Sequence, residues 1–202
     1  LAEPLEIVLA TQNEDKIREI SHILAGLPVR FLSLRDFPDV KPAEEDGKTF
    51  EENAIKKAMQ VWHGTDLVSL ADDSGLVVDA LGGQPGVMSA RFAGDGASYG
   101  DNNSKLLRLI AGVPAEKRKA KFVCVAVLIT SAGKIVMQRG EVKGEIIDEP
   151  RGSGGFGYDP VFYVPRFKKT VAELDAQTKN TISHRAKAIG AMRPYIMSLV
   201  SP

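Results

Sequence analysis

The chain has 202 residues, a hydrophobic fraction of 44%, and basic residues (26) in balance with acidic ones (26). That length supports one sizeable core or two small lobes sharing a sheet, and the balanced charge offers no bulk field to nucleic acid or an anionic membrane, so a charged ligand must be held by a local cluster. The longest apolar runs, such as FVCVAVLI at 122–129, fall far short of the roughly 20 residues that span a bilayer.

The N-terminal stretch LAEPLEIVLATQNEDK has no basic segment of the kind that opens a signal peptide, and a cytoplasmic protein is expected. Because the first residue is Leu1 rather than Met, Leu1 to Glu3 are set aside as a processed start or an expression remnant. Cys124 lies inside an apolar run with no second cysteine to pair with, which reads as a small core residue. His22, His63 and His184 form no pair at helical spacing, which argues against a zinc site.

In chain order, LEIVLA at 5–10 reads as a buried strand, and from Glu14 the apolar positions Ile17, Ile20, Leu24 and Leu27 recur with helical period. A second strand, VRFLSL at 29–34, leads into the polar loop RDFPDVKPAEEDGKT. The helix after it opens with a capping box, Thr49 at the N-cap and Glu52 three residues on, and runs to about His63. DLVSLA at 66–71 is the next strand, ending at Asp72 and Asp73. DNNSKLLRLIAG at 101–112 is a helix stopped by Gly112. From Lys119 to Ile147, β-branched residues on both sides of SAGK spell a long antiparallel hairpin. RGSGGFGYDP at 151–160 is a glycine-rich loop, VFYV at 161–164 a short strand, and Ser183 is placed to cap a last helix carrying Ile189, Met192, Ile196 and Leu199. With no internal repeat and no low-complexity linker, residues 1–202 read as a single mixed α/β domain whose glycine-rich loops follow strands, where such folds place ligands.

Four clusters could carry chemistry. In ATQNEDK at 10–16, a strand-to-helix turn offers free N–H groups, the helix dipole and Lys16 to a triphosphate; alternatively, Thr11 or Asn13 merely caps the helix and Lys16 is solvated. Glu44 and Glu45 with Asp72 and Asp73 match the needs of Mg²⁺, which takes one or two protein carboxylates and keeps several waters, and a carboxylate there could take a proton from water. Solvated loop acids are the plain alternative, yet carboxylates directly after an apolar strand are costly unless a cation or donor meets them. The two aspartates are adjacent rather than separated by one residue, which counts against a haloacid-dehalogenase-type phosphatase.

In GSGGFGYDP the glycines allow close backbone approach, Phe156 or Tyr158 offers a flat face and Asp159 an acceptor, while Lys179, His184 and Arg185 can donate to carbonyl oxygens. Such donors suit a 6-oxo purine, whose O6 and N7 both accept, and disfavour adenine. Ordinary packing for the rings and a surface ion pair for Arg185 are the alternatives. In FEENAIKKAMQVW, Asn53 and Lys57 share one helix face and Ala54, Ala58 and Trp62 another, so the first face looks into a ligand cleft or into solvent.

Through TQNEDKIRE, EEDGKTFEENAIKKA, ADDSGLVVDALGGQPGVMSARFAG, GGFGYDPVF and ISHRAKA, in order from about residue 5 to about residue 190, the chain resembles the inosine triphosphate pyrophosphatase family. These are house-cleaning enzymes that hydrolyse non-standard purine nucleoside triphosphates, and SARFAG is similar to the bacterial branch. The resemblance implies an α/β fold with a long twisted mixed sheet and flanking helices forming two lobes around a cleft, in a homodimer. It implies that Thr11, Gln12, Asn13, Glu14, Asp15 and Lys16 bind phosphates, and that Asn53 and Lys57 face the same substrate. Glu45 and Asp73 would hold Mg²⁺, for which Mn²⁺ could substitute. Asp73 would also accept the proton of the attacking water, and Ser74 would touch the substrate. Phe156, Gly157, Tyr158, Asp159, Lys179, His184 and Arg185 would hold and read the base.

The implied reaction cuts ITP, dITP or XTP between the α and β phosphates, giving a nucleoside monophosphate and pyrophosphate, with no nucleic-acid or membrane partner. Arg91 is left with three roles open: the phosphates, a buried ion pair or the dimer contact. Two readings compete. A pyrophosphatase for modified pyrimidine triphosphates is disfavoured by SHR following FGYD, and a nucleotide-sensing module that binds without hydrolysis would have no need of Glu45 together with Asp73.

Overall fold

The structure, a computed structural model, describes residues 4–200; Leu1–Glu3 lie outside the described residues. Seven strands among them, β1 (Leu5–Leu9), β2 (Val29–Ser33), β3 (Val68–Val78), β4 (Lys119–Ile129), β5 (Ile135–Ile146), β6 (Phe162–Val164) and β7 (Lys169–Thr170), form one sheet in the order β2-β1-β3-β4-β5-β6-β7. The α-helices are α1 (Glu14–Ile23), α2 (Phe50–Thr65), α3 (Tyr99–Ile110), α4 (Ala176–Ile182), α5 (His184–Gly190) and α6 (Arg193–Val200). β1 runs parallel to β2 and β3, which requires the crossovers that α1 and α2 supply, whereas β6 is antiparallel to β5 and β7. The expected mixed α/β sheet is therefore present. No helix of the described residues is long and apolar enough to cross a membrane.

The chain divides into two compact units. Among the described residues the first comprises 4–73, 124–140 and 185–200, and its core gathers Ile7, Leu9, Ile20, Leu70, Leu128 and Ile189, with Cys124 buried among them as expected. The second comprises Ser74–Val123 and Glu141–His184 and packs Leu76, Leu106, Val161 and the rings of Phe122 and Phe162, whose centroids are 4.4 Å apart.

Several elements depart from their expected bounds for local reasons. The strand expected to stop at the aspartates runs on to Val78, because Leu76, Val77 and Val78 restore an apolar, β-branched run after Ser74 and Gly75. Asp72 and Asp73 consequently lie inside a strand and are buried. At the start of α2, Thr49 Oγ1 accepts from the Glu52 N–H at 3.1 Å, but the Glu52 carboxylate accepts from the Lys48 N–H at 2.6 Å, so only half of the capping box forms. α3 begins at Tyr99, earlier than expected, because Ser98 and Asp101 form a complete box, and Gly112 with φ +79° lies beyond its end. The hairpin between Lys119 and Ile147 is β4 and β5, turning through Gly133 at φ +76°.

The single last helix expected after Ser183 is two helices, α5 and α6, preceded by α4, which Ser183 closes. Pro194 has no N–H to continue a ladder from α5 and sits in the first turn of α6, where the missing donor is harmless.

Candidate active site

In the first unit the two aspartates of β3 are consecutive, so their side chains leave opposite faces of the strand and meet different partners. Asp73 Oδ1 accepts from Lys57 Nζ at 2.6 Å and Asp73 Oδ2 from Asn53 Nδ2 at 3.3 Å. Both donors come from one face of α2, as their four-residue spacing dictates. Glu45 Oε1 lies 3.1 Å from the same Lys57 ammonium, whereas Glu44 is exposed. The loop carrying Glu45 is drawn onto α2 at Gly47, whose N–H donates to Asn53 Oδ1 at 2.8 Å; a Cβ there would stand 2.5 Å from that oxygen, so only glycine fits. Burial lifts the Asp73 pKa above the ordinary carboxylate value, against the opposing pull of Lys57. For Lys57 burial acts downward, but Asp73 and Glu45 outweigh it and hold the ammonium protonated to higher pH than usual.

Asp72 belongs to a separate network. Its Oδ2 accepts from Arg185 Nη2 at 3.1 Å and Nε at 3.3 Å, and Lys16 Nζ lies 3.1 Å from the same oxygen. Arg185 Nη1 donates to Glu19 Oε2 at 2.5 Å, and Cys124 Sγ is 3.9 Å from Asp72 Oδ2. Burial of Arg185 opposes its charge, and Asp72 and Glu19 more than restore it. The guanidinium expected to read the base is thus directed at two carboxylates of the first unit. Glu19 is not among the residues expected from the sequence; its one signal there is a place three residues after Lys16, on the same face of α1.

The turn before α1 is a cap as well as a candidate phosphate site. Asn13 Oδ1 accepts from the N–H groups of Asp15 (2.9 Å) and Lys16 (3.2 Å), and Thr11 Oγ1 from that of Asn13 (3.1 Å). Gln12 is exposed, Glu14 pairs with Arg35 at 2.8 Å, and Asp15 pairs with Arg18. Lys16 is not simply solvated, because it faces Asp72.

In the second unit the glycine-rich loop folds onto its own aspartate. Asp159 Oδ2 accepts from the Phe156 N–H at 2.9 Å and from Lys179 Nζ at 2.6 Å, and that ammonium stands 4.7 Å from the Phe156 ring centroid. Gly155, at φ +72°, leaves room for this carboxylate; a Cβ there would lie 2.0 Å from it. The Tyr99 ring lies 5.9 Å from Phe156, and His184 stacks on Phe122 at 4.8 Å. Tyr158 turns inward: its hydroxyl donates to Ser89 O at 2.8 Å, and burial pushes its pKa up.

Ser89, which opens the SARFAG stretch without a role assigned to it there, and Asn103, which no motif marks, complete this frame. Ser89 Oγ accepts from the Leu76 N–H at 2.9 Å and donates to Gly86 O at 2.6 Å, and Asn103 Nδ2 donates to Gly157 O at 2.9 Å. Ser74 and Arg91 are half-buried.

The Ham1 family model matches residues 7–195. A protein of Geobacter sulfurreducens named dITP/XTP pyrophosphatase is 53% identical over 190 residues, covering 94% of this chain and 96% of the relative. One of the same name from Desulforamulus reducens is 49% identical over 185 residues, covering 92% of each. Among solved structures, a HAM1 protein from Coxiella burnetii superposes with a TM-score of 0.88 at 43% identity, over 96% of this chain and 99% of that one. The Staphylococcus aureus Ham1 protein does so with a TM-score of 0.86 at 39% identity, over 96% and 99%. With a family match across nearly its whole length and relatives at about half identity, the chain belongs to the Ham1 family.

Proposed function

We propose that the chain hydrolyses ITP, dITP and XTP between the α and β phosphates to the nucleoside monophosphate and pyrophosphate, clearing deaminated purines from the nucleotide pool. This rests above all on the convergence of Glu45 and Asp73, from a loop and a strand, on one cationic position, in a chain whose relatives carry the name dITP/XTP pyrophosphatase.

A divalent cation fits that donor set. Two carboxylates from different elements already share one positive charge, and Mg²⁺ takes one or two carboxylates while filling its other positions with water and phosphate oxygens. Glu45 and Asp73 would hold Mg²⁺, or Mn²⁺, which has the same preference for oxygen. Bound there, the ion would supply charge against the phosphates and acidify a water.

The remaining work falls to the chain's own groups. Asp73, with its pKa raised by burial, accepts the proton of the water that attacks the α phosphorus. The bond from that phosphorus to the bridging oxygen breaks, and pyrophosphate leaves with the electron pair. Lys57 and Lys16 offset the triphosphate charge, Thr11 to Lys16 and Ser74 line its path, and Asn53 steadies Asp73. Phe156 to Asp159 receive the purine, and Lys179 and His184 donate to its acceptors. Arg185 acts on the phosphate side, by holding Asp72 beside Lys16. Rejecting GTP, which shares O6 and N7 with ITP, requires an obstacle to its 2-amino group.

Incubation with Mg²⁺ and, separately, ITP, XTP, GTP, ATP and UTP, read by ³¹P NMR, tests the proposal. Pyrophosphate and monophosphate from ITP and XTP alone are expected. Orthophosphate would move the cut to another bond, and GTP turned over as fast as ITP would refute the specificity. The same reading has the protein working in the cytoplasm as a homodimer, for which light scattering should give about twice the 21.8 kDa chain mass; a monomer mass would remove that part of it.

A further inference from the structure

Base binding by Phe156 to Asp159 is part of the proposed function, and the role of the groups that support this loop rests on it. The loop has a soft point at Gly157. Its φ is +63°, and nothing lies within 4 Å of where a Cβ would stand, so glycine serves conformation there rather than space. A peptide beside such a glycine rotates at little steric cost, and its carbonyl needs an external hold.

That hold is the 2.9 Å hydrogen bond from Asn103 Nδ2 to Gly157 O. Asn103 sits on α3, only 8% exposed, next to Asn102, and the two neighbours differ in how they use their amides. Asn102 uses both ends, donating to Ala90 O at 3.1 Å and accepting from the Ala93 N–H at 2.7 Å. Asn103 uses one; its Oδ1 is buried with no hydrogen-bond partner among the described residues. Turning the amide over would set that oxygen against the Gly157 carbonyl, so the chemistry fixes which end faces the loop. An unpartnered buried acceptor is destabilising, and leucine, a stronger helix former of the same branched shape, would avoid it. Packing therefore explains Asn103 poorly, and the bond to Gly157 explains it well.

We propose that Asn103 is a positioning residue for nucleotide binding: it fixes the Gly157 carbonyl, and through it the presentation of Phe156 and Asp159 to the base, while touching no part of the substrate. Its loss should cost binding and spare the chemical step, because the phosphate end of the nucleotide is held by other residues.

Steady-state kinetics with ITP and Mg²⁺ on the full chain, paired with calorimetry, test this. In Asn103→Leu the KM for ITP should rise about five- to twentyfold, the loss of one hydrogen bond's hold, with kcat changed less than about twofold and a melting temperature equal to or above that of the parent. A KM within about twofold of the parent value overturns the proposal, as does a fall in kcat that tracks a lower melting temperature, the signature of a purely structural residue. Should the leucine variant fail to fold, Asn103→Ala removes the same bond without adding bulk and is held to the same KM criterion. A parent chain that turns over no ITP overturns the proposed function and this inference with it, whereas an active parent with unchanged variants overturns this inference alone.

Discussion

The two units hold their chemical groups by different physics. In the first, charge answers charge: Lys57 is met by Asp73 and Glu45, and Asp72 by Arg185 and Lys16, with Glu19 behind Arg185. In the second, Asp159 and Lys179 form a buried ion pair, and the frame around them is built from hydrogen bonds to main-chain groups, made by Asn103, Ser89 and Tyr158. Removing one member of a buried charge network strands another charge away from water, whereas removing one hydrogen bond from a frame leaves the others in place. Substitutions in the charge networks of the first unit should therefore be severe, and those in the hydrogen-bonded frame of the second graded.

Asp73→Asn should show the largest effect. It removes the proposed proton acceptor and should lower kcat by about 10²- to 10⁴-fold while leaving ITP binding measurable, to be read by single-turnover kinetics and calorimetric titration. A variant that retains activity would exclude Asp73 as the base. Next comes Arg185→Leu, which takes the guanidinium away from Asp72 and Glu19 and leaves Lys16 as the cation beside Asp72. Loss of about 3–5 kcal/mol of stability is expected, a drop of about 6–20 °C in melting temperature for a chain of this size. A drop below about 2 °C would show that this network is not held as tightly as its geometry implies. Tyr158→Phe in the second unit deletes only the bond to Ser89 O and should cost about 1–2 kcal/mol, a few degrees in the same scan. If it costs as much as Arg185→Leu, the contrast between the units fails.

What is legible in the sequence follows the same division. β1, α1 and the β4–β5 hairpin are readable because their apolar periods are strong, and Asn53 with Lys57 because four residues on a helix fix a common face. The segment after the aspartates misleads because Ser74 and Gly75 resemble a strand end, and only the apolar residues beyond them keep β3 extended to Val78. Arg185 cannot be placed from its spacing, since its partner Asp72 is 113 residues away and a guanidinium serves a base or a carboxylate equally well. Asn103 leaves no pattern at all, and SARFAG does not tell what its Ser89 holds, because both side chains act on main-chain atoms, which every residue possesses.

The smallest expected effect concerns pH and tests whether burial or Lys57 dominates at Asp73. Burial raises the folded pKa of Asp73 above 3.8. Between 3.8 and that raised value the folded chain keeps a proton that the unfolded chain has lost, so stability falls as pH climbs through the window and levels off above it. Asp73→Asn has no such titration. In metal-free protein, the unfolding free energy of wild type minus that of Asp73→Asn should accordingly decline across that window, a difference that urea titrations at stepped pH in the presence of a chelator would measure. Mg²⁺ should reverse the slope, because a cation on the carboxylate favours its charged form. A metal-free difference that instead moves in favour of wild type as pH rises would mean that Lys57 outweighs burial. Asp73 would then sit below the ordinary carboxylate range, where its weak basicity at neutral pH would argue for another proton acceptor.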